Sequence, residues 1–122
     1  MGRSRAFGAE GEARAARLLE AKGYALLARN ARADGVEIDL VAARGDTIAF
    51  VEVKARRGRA HGAPEEAVDA RKRRRLARGA AAWLHASGLF ARRVRFDVIV
   101  CEQGASGEWK LHHLAGAFDA GG

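Results

Sequence analysis

A chain of 122 residues, 48% of them hydrophobic, has the size and composition of one globular domain, which we expect to span residues 1–122. A net charge of +7, from 22 basic and 15 acidic residues, favours a polyanionic partner such as nucleic acid, although solvated surface arginines would give the same balance. Cys101 is the only cysteine, which excludes an intrachain disulfide; with no apolar run of transmembrane length and no signal-peptide pattern, we expect a cytoplasmic protein without a membrane partner.

The first half of the chain predicts one helix and three strands. Residues Ala6–Lys22 are rich in helix formers and precede Gly23, a residue that favours the end of a helix. Residues 31–35 predict a loop, and Gly45-Asp46 predicts a tight hairpin turn. The strands that hydrophobic alternation predicts are Tyr24–Asn30, Val36–Ala43 and Thr47–Lys54.

The second half predicts another helix and two more strands. Pro64 before two glutamates is typical of the first turn of a helix, which we predict over Glu65–Ala86. Strands follow at Arg92–Gln103 and Glu108–Leu114, and we expect mobile termini at residues 1–6 and 115–122. The order αβββαββ indicates an α/β domain, with a central mixed sheet of about five strands flanked by helices.

Four charged residues fall on the second and third predicted strands, and the hairpin register decides how they meet. With a two-residue turn, Asp39 lies opposite Glu52, and Glu37 lies opposite Lys54. Opposed Cβ atoms are about 4.5–5.5 Å apart, so Asp39 and Glu52 would repel each other unless they shared a proton or a cation. A turn with an odd number of residues would instead direct Asp39 to the other face of the hairpin.

A hard divalent cation would relieve this repulsion. Mg²⁺ takes oxygen ligands from one or two carboxylates, together with water and substrate phosphate. Such a site would activate water for attack on a phosphodiester, with Lys54 orienting the water or stabilising the developing charge. The alternative is a solvent-facing ladder of ion pairs, Glu37 with Lys54 and arginines around Glu52. Spacing alone does not separate the two interpretations.

The same residues belong to a longer pattern. Five segments occur in this order in the chain: GAEGEARAARLLEAKGY, VEIDLVA, FVEVKAR, HGAPEEAVDARKRRRL and RFDVIV. Together they resemble the YraN-like family of bacterial nuclease-like proteins, over roughly Gly8 to Val100. Asp39 with Glu52-Val53-Lys54 also resembles the D…ExK signature of the restriction-endonuclease-like superfamily, which includes distantly similar archaeal Holliday-junction resolvases.

The resemblance implies the restriction-endonuclease-like fold and a Mg²⁺- or Mn²⁺-dependent endonuclease that acts on DNA rather than RNA, with branched or damaged DNA as candidate substrates. It also suggests a homodimer. The alternatives are a module of the same fold that binds nucleic acid without cutting it, within a repair or processing complex, and a protein-interaction domain with a vestigial acidic pocket.

Residue by residue, the resemblance implies a catalytic set and a metal-binding set. The implied catalytic residues are Asp39, Glu52, Lys54 and Glu12, and the implied metal ligands are Asp39, Glu52 and the backbone carbonyl of Val53. Glu37 is better explained as a supporting partner of Lys54 than as a ligand, and Glu12 alone could be a solvated helix residue. One departure is Val36, where family members usually have a glycine.

Basic residues around these strands are candidates for contact with the phosphate backbone: Arg56, Arg57, Arg59, Lys72 and Arg73. Lys72 falls on the inward stripe of the second predicted helix or at its edge, where a lysine often extends outward to solvent. The family pattern also has a lysine at this position, so the resemblance implies that Lys72 reaches the rim of the site. Backbone contacts carry little sequence information, so any substrate preference should concern nucleic-acid shape.

Several other polar and aromatic residues have open roles. Asp97 enters an apolar strand, and we favour a structural acceptor there over a distal metal contact. His112 and His113 lack metal-ligand spacing and suit an edge strand, whereas His61 could touch phosphate. Among the aromatic residues, Trp83 suits the core, and Trp109 suits either the core or a stacking platform.

Overall fold

The computed structural model of the protein describes residues 2–58, 69–89 and 93–118. Its elements are α1 (Gly2–Ala21), β1 (Ala25–Ala33), β2 (Val36–Arg44), β3 (Thr47–Arg57), α2 (Ala70–Ser87), β4 (Arg93–Gln103) and β5 (Trp109–Phe118). The order αβββαββ and the five-stranded mixed sheet confirm the predicted fold class. Within the described part of the chain, no helix is long and apolar enough to span a membrane.

The five strands lie in the sheet in sequence order, with β3 at the centre. Neighbouring strands are antiparallel except for β3 and β4, which run parallel and pair from Thr47–Arg93 to Arg57–Gln103. A parallel pair cannot be joined by a short turn, and the segment that contains α2 makes the crossover between them. The central strand is therefore held by a long parallel ladder on one side.

Each face of the sheet is covered by one helix, because the strands carry apolar residues on both faces. The core on the α2 side includes Ile38, Val41, Phe50, Leu76 and Phe96. The core on the α1 side includes Ala16, Leu19, Leu40, Val51 and Ile99. Because β2, β3 and β4 are covered on both faces in this three-layer arrangement, their sequences are nearly continuous runs of apolar residues.

Several predicted boundaries are wrong for identifiable reasons. The predicted loop at residues 31–35 is a two-residue hairpin, because Asp34 and Gly35 take φ values of 51° and 72°, as a type I′ turn requires. Asp69 has an extended backbone and accepts a hydrogen bond from the Lys72 N–H at 2.9 Å, so α2 begins at Ala70 instead of Glu65. Residues 65–68 lie outside the described residues.

The two ends of the chain also differ from the predictions. The first helix begins at Gly2, inside the segment that we expected to be mobile. Residues 115–118, expected in a mobile tail, form the end of β5, and Phe118 stacks on Phe96 with ring centroids 5.0 Å apart. Burial of Phe118 against the α2-side core stabilises the pairing of this last stretch of β5 with the sheet.

Asp97 is the centre of a buried charged network on the α1 side. Its carboxylate accepts two hydrogen bonds of 2.8 Å from Arg95, one of 2.8 Å from His113 and one of 3.0 Å from the Gly116 N–H. The Lys22 ammonium lies 2.8 Å from the other ring nitrogen of His113, Nδ1, and extends the network to the end of α1. The structural role that we favoured for Asp97 agrees with these contacts.

The network predicts a pH-dependent stability. Burial raises the pKa of Asp97, but the hydrogen bonds from His113 and Arg95 outweigh it and lower the value from 3.8 to about 2. A lowered pKa in the folded state means that the stabilisation is complete above about pH 4 and is lost as the pH falls toward 2. The shift corresponds to about 2 kcal/mol.

We therefore expect Asp97→Asn to lower the free energy of unfolding by about 3–5 kcal/mol at pH 6, since it leaves the Arg95 charge uncompensated. Urea unfolding of both proteins from pH 6 to pH 2.5 checks this. The gap between them should narrow by about 2 kcal/mol below pH 4. A gap that stays constant over that range would contradict the assigned role of the carboxylate.

Gly11 lets α1 approach the sheet closely. A Cβ at Gly11 would lie 2.8 Å from the Ala55 Cβ, a contact that no rotamer change can relieve, whereas a Cβ at Gly8 would meet nothing within 4 Å. We expect Gly11→Ala to destabilise the protein by about 1 kcal/mol, as the overpacking cost of about 1–3 kcal/mol exceeds the helix-propensity gain of about 1 kcal/mol.

Gly8→Ala is the matched control in the same helix, because it gains the propensity term without the clash. It should stabilise the protein by up to about 1 kcal/mol. Thermal and urea unfolding measure the stability of the two variants. If Gly11→Ala were the more stable one, the close approach of α1 to the sheet at Gly11 would be contradicted.

Candidate active site

The candidate site lies where β2 separates from β3. The predicted two-residue turn is confirmed, since Arg44 pairs with Thr47 across Gly45 and Asp46. The ladder then ends at Leu40 and Val51, so the backbone pairs that we predicted at Asp39–Glu52 and Glu37–Lys54 do not form. In place of a β2 carbonyl, the Asp39 carboxylate accepts a hydrogen bond of 2.8 Å from the Val53 N–H.

The separation has a local origin in β1 and β2. Ile38 faces the α2-side core, whereas Leu40 faces the α1-side core, although residues i and i+2 of a regular strand share a face. The irregularity is centred on Asp39. On β1, Asn30 lies opposite Asp39, because the residues on either side of Asn30 pair with Leu40 and Ile38. Asn30 has a φ of 50°, an uncommon value for a residue with a side chain. Together these features turn β2 away from β3.

The gap opens into a cleft of about 200 Å³ between the sheet and α2. Its walls are formed by Val36, Glu37, Asp39, Glu52, Lys72, Arg75 and Leu76. Glu52 is buried, and its carboxylate forms an ion pair of 2.6 Å with the Lys72 ammonium. Lys72 therefore reaches the site from α2. Arg75 was not predicted, although its i+3 spacing from Lys72 puts both on one helix face and would have indicated it.

Negative charge is concentrated around Asp39. Burial raises the pKa of Asp39, the neighbouring Glu52 carboxylate raises it further, and the value reaches about 7 in spite of the hydrogen bond from Val53. Glu12 and Glu37 add smaller contributions in the same direction. The pKa of Glu12 is itself raised, first by burial, with a hydrogen bond from Asn30 opposing the shift. The four predicted acids are thus near neighbours.

The donor set fits a hard divalent cation that also takes water and phosphate oxygens. Within the described ranges, no three His, Cys, Asp or Glu side chains lie close enough to hold a metal ion by themselves. Asp39 and Glu52 provide two carboxylates, the number that Mg²⁺ commonly uses. The Val53 carbonyl faces the same gap as the Val53 N–H, because a strand residue directs both groups to one side. A cation would also offset the charge that raises the pKa of Asp39.

Lys54 and Glu37 do not form the ion pair of the alternative interpretation. Both side chains are exposed, and among the residues described here no hydrogen bond or ion pair joins Lys54 to another side chain. The solvent-facing ladder of ion pairs is therefore wrong for this pair. Lys54 follows Glu52 by two residues on β3 and is not among the walls of the cleft.

Of the other predicted phosphate-binding residues, the three that the structure describes, Arg56, Arg57 and Arg73, do not line the cleft with Lys72. The Arg56 side chain is only 9% exposed and forms an ion pair of 3.4 Å with Glu102, which leaves it little surface for a ligand. Arg57 bonds Gln103 at 2.9 Å on the α1 side, and Arg73 lies over the Phe118 ring. Arg59 and His61 lie outside the described residues.

The remaining predicted residues lie away from the cleft. Trp83 packs edge-on against Phe50 at 5.8 Å, as expected of a core residue. His112 lies 3.3 Å from the Glu102 carboxylate on the edge strand β5. Trp109 is half-buried and stacks on Phe7, so it belongs to the opposite face of the sheet.

Comparison with known proteins gives the same family across most of the chain. Residues 11–101 match the model of the uncharacterised protein family UPF0102. A UPF0102 protein of Symbiobacterium thermophilum is 47% identical over 117 residues, covering 96% of this chain and 99% of the relative. A relative in Rhodococcus jostii is 44% identical and covers 97% of this chain and all of its own length.

A third UPF0102 protein, from Moorella thermoacetica, is 52% identical over 89 residues, which are 73% of this chain and 74% of the relative. The matched segment of the family model includes the four neighbouring acids, Glu12, Glu37, Asp39 and Glu52, together with Lys54, Lys72 and Arg75. The chain therefore belongs to the family UPF0102, the YraN family that its sequence resembles.

Proposed function

We propose that the protein is a divalent-metal-dependent, endonuclease-like hydrolase of phosphodiester bonds in DNA, with branched or damaged DNA as its substrate class. One observation carries the proposal: the half-buried carboxylate of Asp39 and the buried carboxylate of Glu52 lie beside a lysine and an arginine in one cleft. Like charges held close together are costly unless they are paired or bind a ligand, and a cation together with a phosphate group would satisfy both signs of charge.

We assign each residue of the candidate site a separate role in the proposed reaction. Asp39, Glu52 and the Val53 carbonyl would hold Mg²⁺ or Mn²⁺, which when bound supplies positive charge to the phosphodiester and acidifies the attacking water. Lys72 and Arg75 bind the phosphate from the α2 side. Lys54, exposed two residues after Glu52 on β3, would orient the water, and Glu12, whose pKa is raised, would accept a proton from the water.

A second candidate function is a nucleic-acid-binding module that does not cut. The observation in its favour is the ion pair between Lys72 and Glu52, because it compensates the buried carboxylate without any metal. In such a module the basic residues of α2 would hold the phosphate backbone, and the acids would only position them.

Cleavage assays with variants separate the two functions. The purified protein is incubated with branched, single-stranded and duplex DNA and RNA, in Mg²⁺, Mn²⁺ or EDTA. We expect metal-dependent cleavage of DNA that falls by about 10²–10⁴-fold in Glu52→Gln and in Lys54→Ala, since each removes a group that acts on the reacting atoms.

Matched controls make the same chemical change at exposed positions, Glu20→Gln on α1 and Lys110→Ala on β5, and should keep full activity. Salt-sensitive binding of every substrate without cleavage in either metal would support the binding module. Neither binding nor cleavage would contradict both functions and favour a domain that interacts with proteins.

Lys72 gives a prediction that does not depend on turnover. Because its ammonium occupies the Glu52 carboxylate, Lys72→Met should tighten Mn²⁺ binding in the absence of DNA by about tenfold, or about 1.4 kcal/mol. The same variant should bind DNA more weakly, since it loses a phosphate contact. Calorimetric titration with Mn²⁺ and fluorescence anisotropy with labelled DNA measure the two effects.

Lys110→Met is the control for the loss of one positive charge, because Lys110 is exposed on β5. It should leave Mn²⁺ affinity within about twofold of the wild type, as a distant surface charge is largely screened. Equal Mn²⁺ affinity in the wild type and Lys72→Met would show that the lysine and the cation do not compete for Glu52.

A further inference from the structure

A second cluster of cationic and aromatic groups lies on the α1 face of the sheet. The rings of Phe7 and Trp109 stack with centroids 5.0 Å apart and planes inclined by 27°. The Arg57 guanidinium lies over Phe7, 4.1 Å from its centroid, and that of Arg14 lies over Trp109 at 5.2 Å. We call these four residues the aromatic–arginine stack.

The stack is separate from the cleft of Asp39 and Glu52. Arg57 lies five residues beyond Glu52 on β3, about 16 Å along the strand, and the two side chains leave opposite faces. The stack borders an open surface depression of about 540 Å³, whose remaining walls are Ala6, Glu10, Gln103 and Gly107. Phe7 and Trp109 are half-buried, so part of their surface faces this depression.

The charges around the depression have a positive balance. Glu10 forms an ion pair of 2.6 Å with Arg14, and Gln103, a neutral group, accepts a hydrogen bond from Arg57. The protein as a whole carries +7. Sites that bind single-stranded nucleic acid combine aromatic rings with guanidinium groups. The bases stack on the rings or on the guanidinium planes, and the phosphates pair with the cations.

We propose that the aromatic–arginine stack is a second nucleic-acid-binding site, which takes a single-stranded segment by base stacking and phosphate contact. A duplex keeps its bases stacked on one another and cannot offer a free base face, so the site selects unpaired nucleotides. The proposal shares its partner class with the proposed function, but it does not require the cleft to cleave.

The two tryptophans of the chain allow a direct test. Trp83→Phe keeps an aromatic ring against Phe50 and leaves Trp109 as the sole tryptophan. In EDTA, an oligothymidylate of about twelve nucleotides should quench the fluorescence of Trp109, and its affinity should fall steeply as the salt concentration rises. A duplex of the same length should quench it at least about fivefold less effectively.

Substitutions then assign the binding to the stack. In the same background, Arg14→Gln combined with Arg57→Gln should weaken oligothymidylate binding by about tenfold or more. Arg93→Gln is the control, because Arg93 is exposed at the other end of β4 from Gln103, about 33 Å along the strand. It should change the affinity by less than about twofold, and circular dichroism checks that each variant is folded.

The outcomes distinguish this site from the cleft. Quenching that persists in Glu52→Gln, together with loss of any cleavage, supports a stack that binds independently of the proposed reaction. Oligothymidylate binding detected by anisotropy without quenching of Trp109 would overturn the second site and leave the proposed function intact. Equal quenching by duplex and single strand, or quenching unchanged by the double arginine substitution, would also overturn it.

Discussion

The hydrogen bond from the Val53 N–H to the Asp39 carboxylate is the contact on which the candidate site depends. It takes the place of a ladder bond at the point where β2 leaves β3, so the strands can separate without leaving the Val53 N–H unsatisfied. On the other side, β3 stays paired with β4 along its whole length. The result is a gap on one side of a strand that is rigidly held on the other, which fixes Glu52 and the Val53 carbonyl relative to Asp39.

The same contact explains the balance of charge in the cleft. The hydrogen bond from the Val53 N–H keeps Asp39 close to Glu52. Burial, and then the negative charge of Glu52, raise the pKa of Asp39 to about 7. Lys72 offsets part of this charge from α2, with its ammonium 2.6 Å from Glu52. The Lys72 ammonium stabilises the buried Glu52 carboxylate, but it also competes with an incoming metal ion for that carboxylate.

The hairpin register was predictable because Gly45 and Asp46 fix a two-residue turn, and from it the pairs from Arg44–Thr47 to Leu40–Val51 follow. The break at Asp39 was not, since it depends on the positive φ of Asn30 in a different strand. Helix periodicity placed Lys72 on or near the inward stripe of its helix, and the family resemblance predicted that it reaches the site. Arg56 was misplaced because β3 runs three residues beyond its predicted end, where the partner of Arg56 is Glu102 of β4. Such a contact between distant segments has no signal in a single sequence.

Both candidate sites share α1, and this has a structural consequence. The helix brings Glu12 near Asp39, and it brings Phe7 and Arg14 to the aromatic–arginine stack. Its distance from the sheet is set between them, where Gly11 approaches Ala55 and its carbonyl oxygen lies 3.5 Å from the Cys101 thiol. A shift of α1 would therefore move Glu12 and the residues of the stack together, whereas a shift of α2 would move the cleft residues Lys72, Arg75 and Leu76.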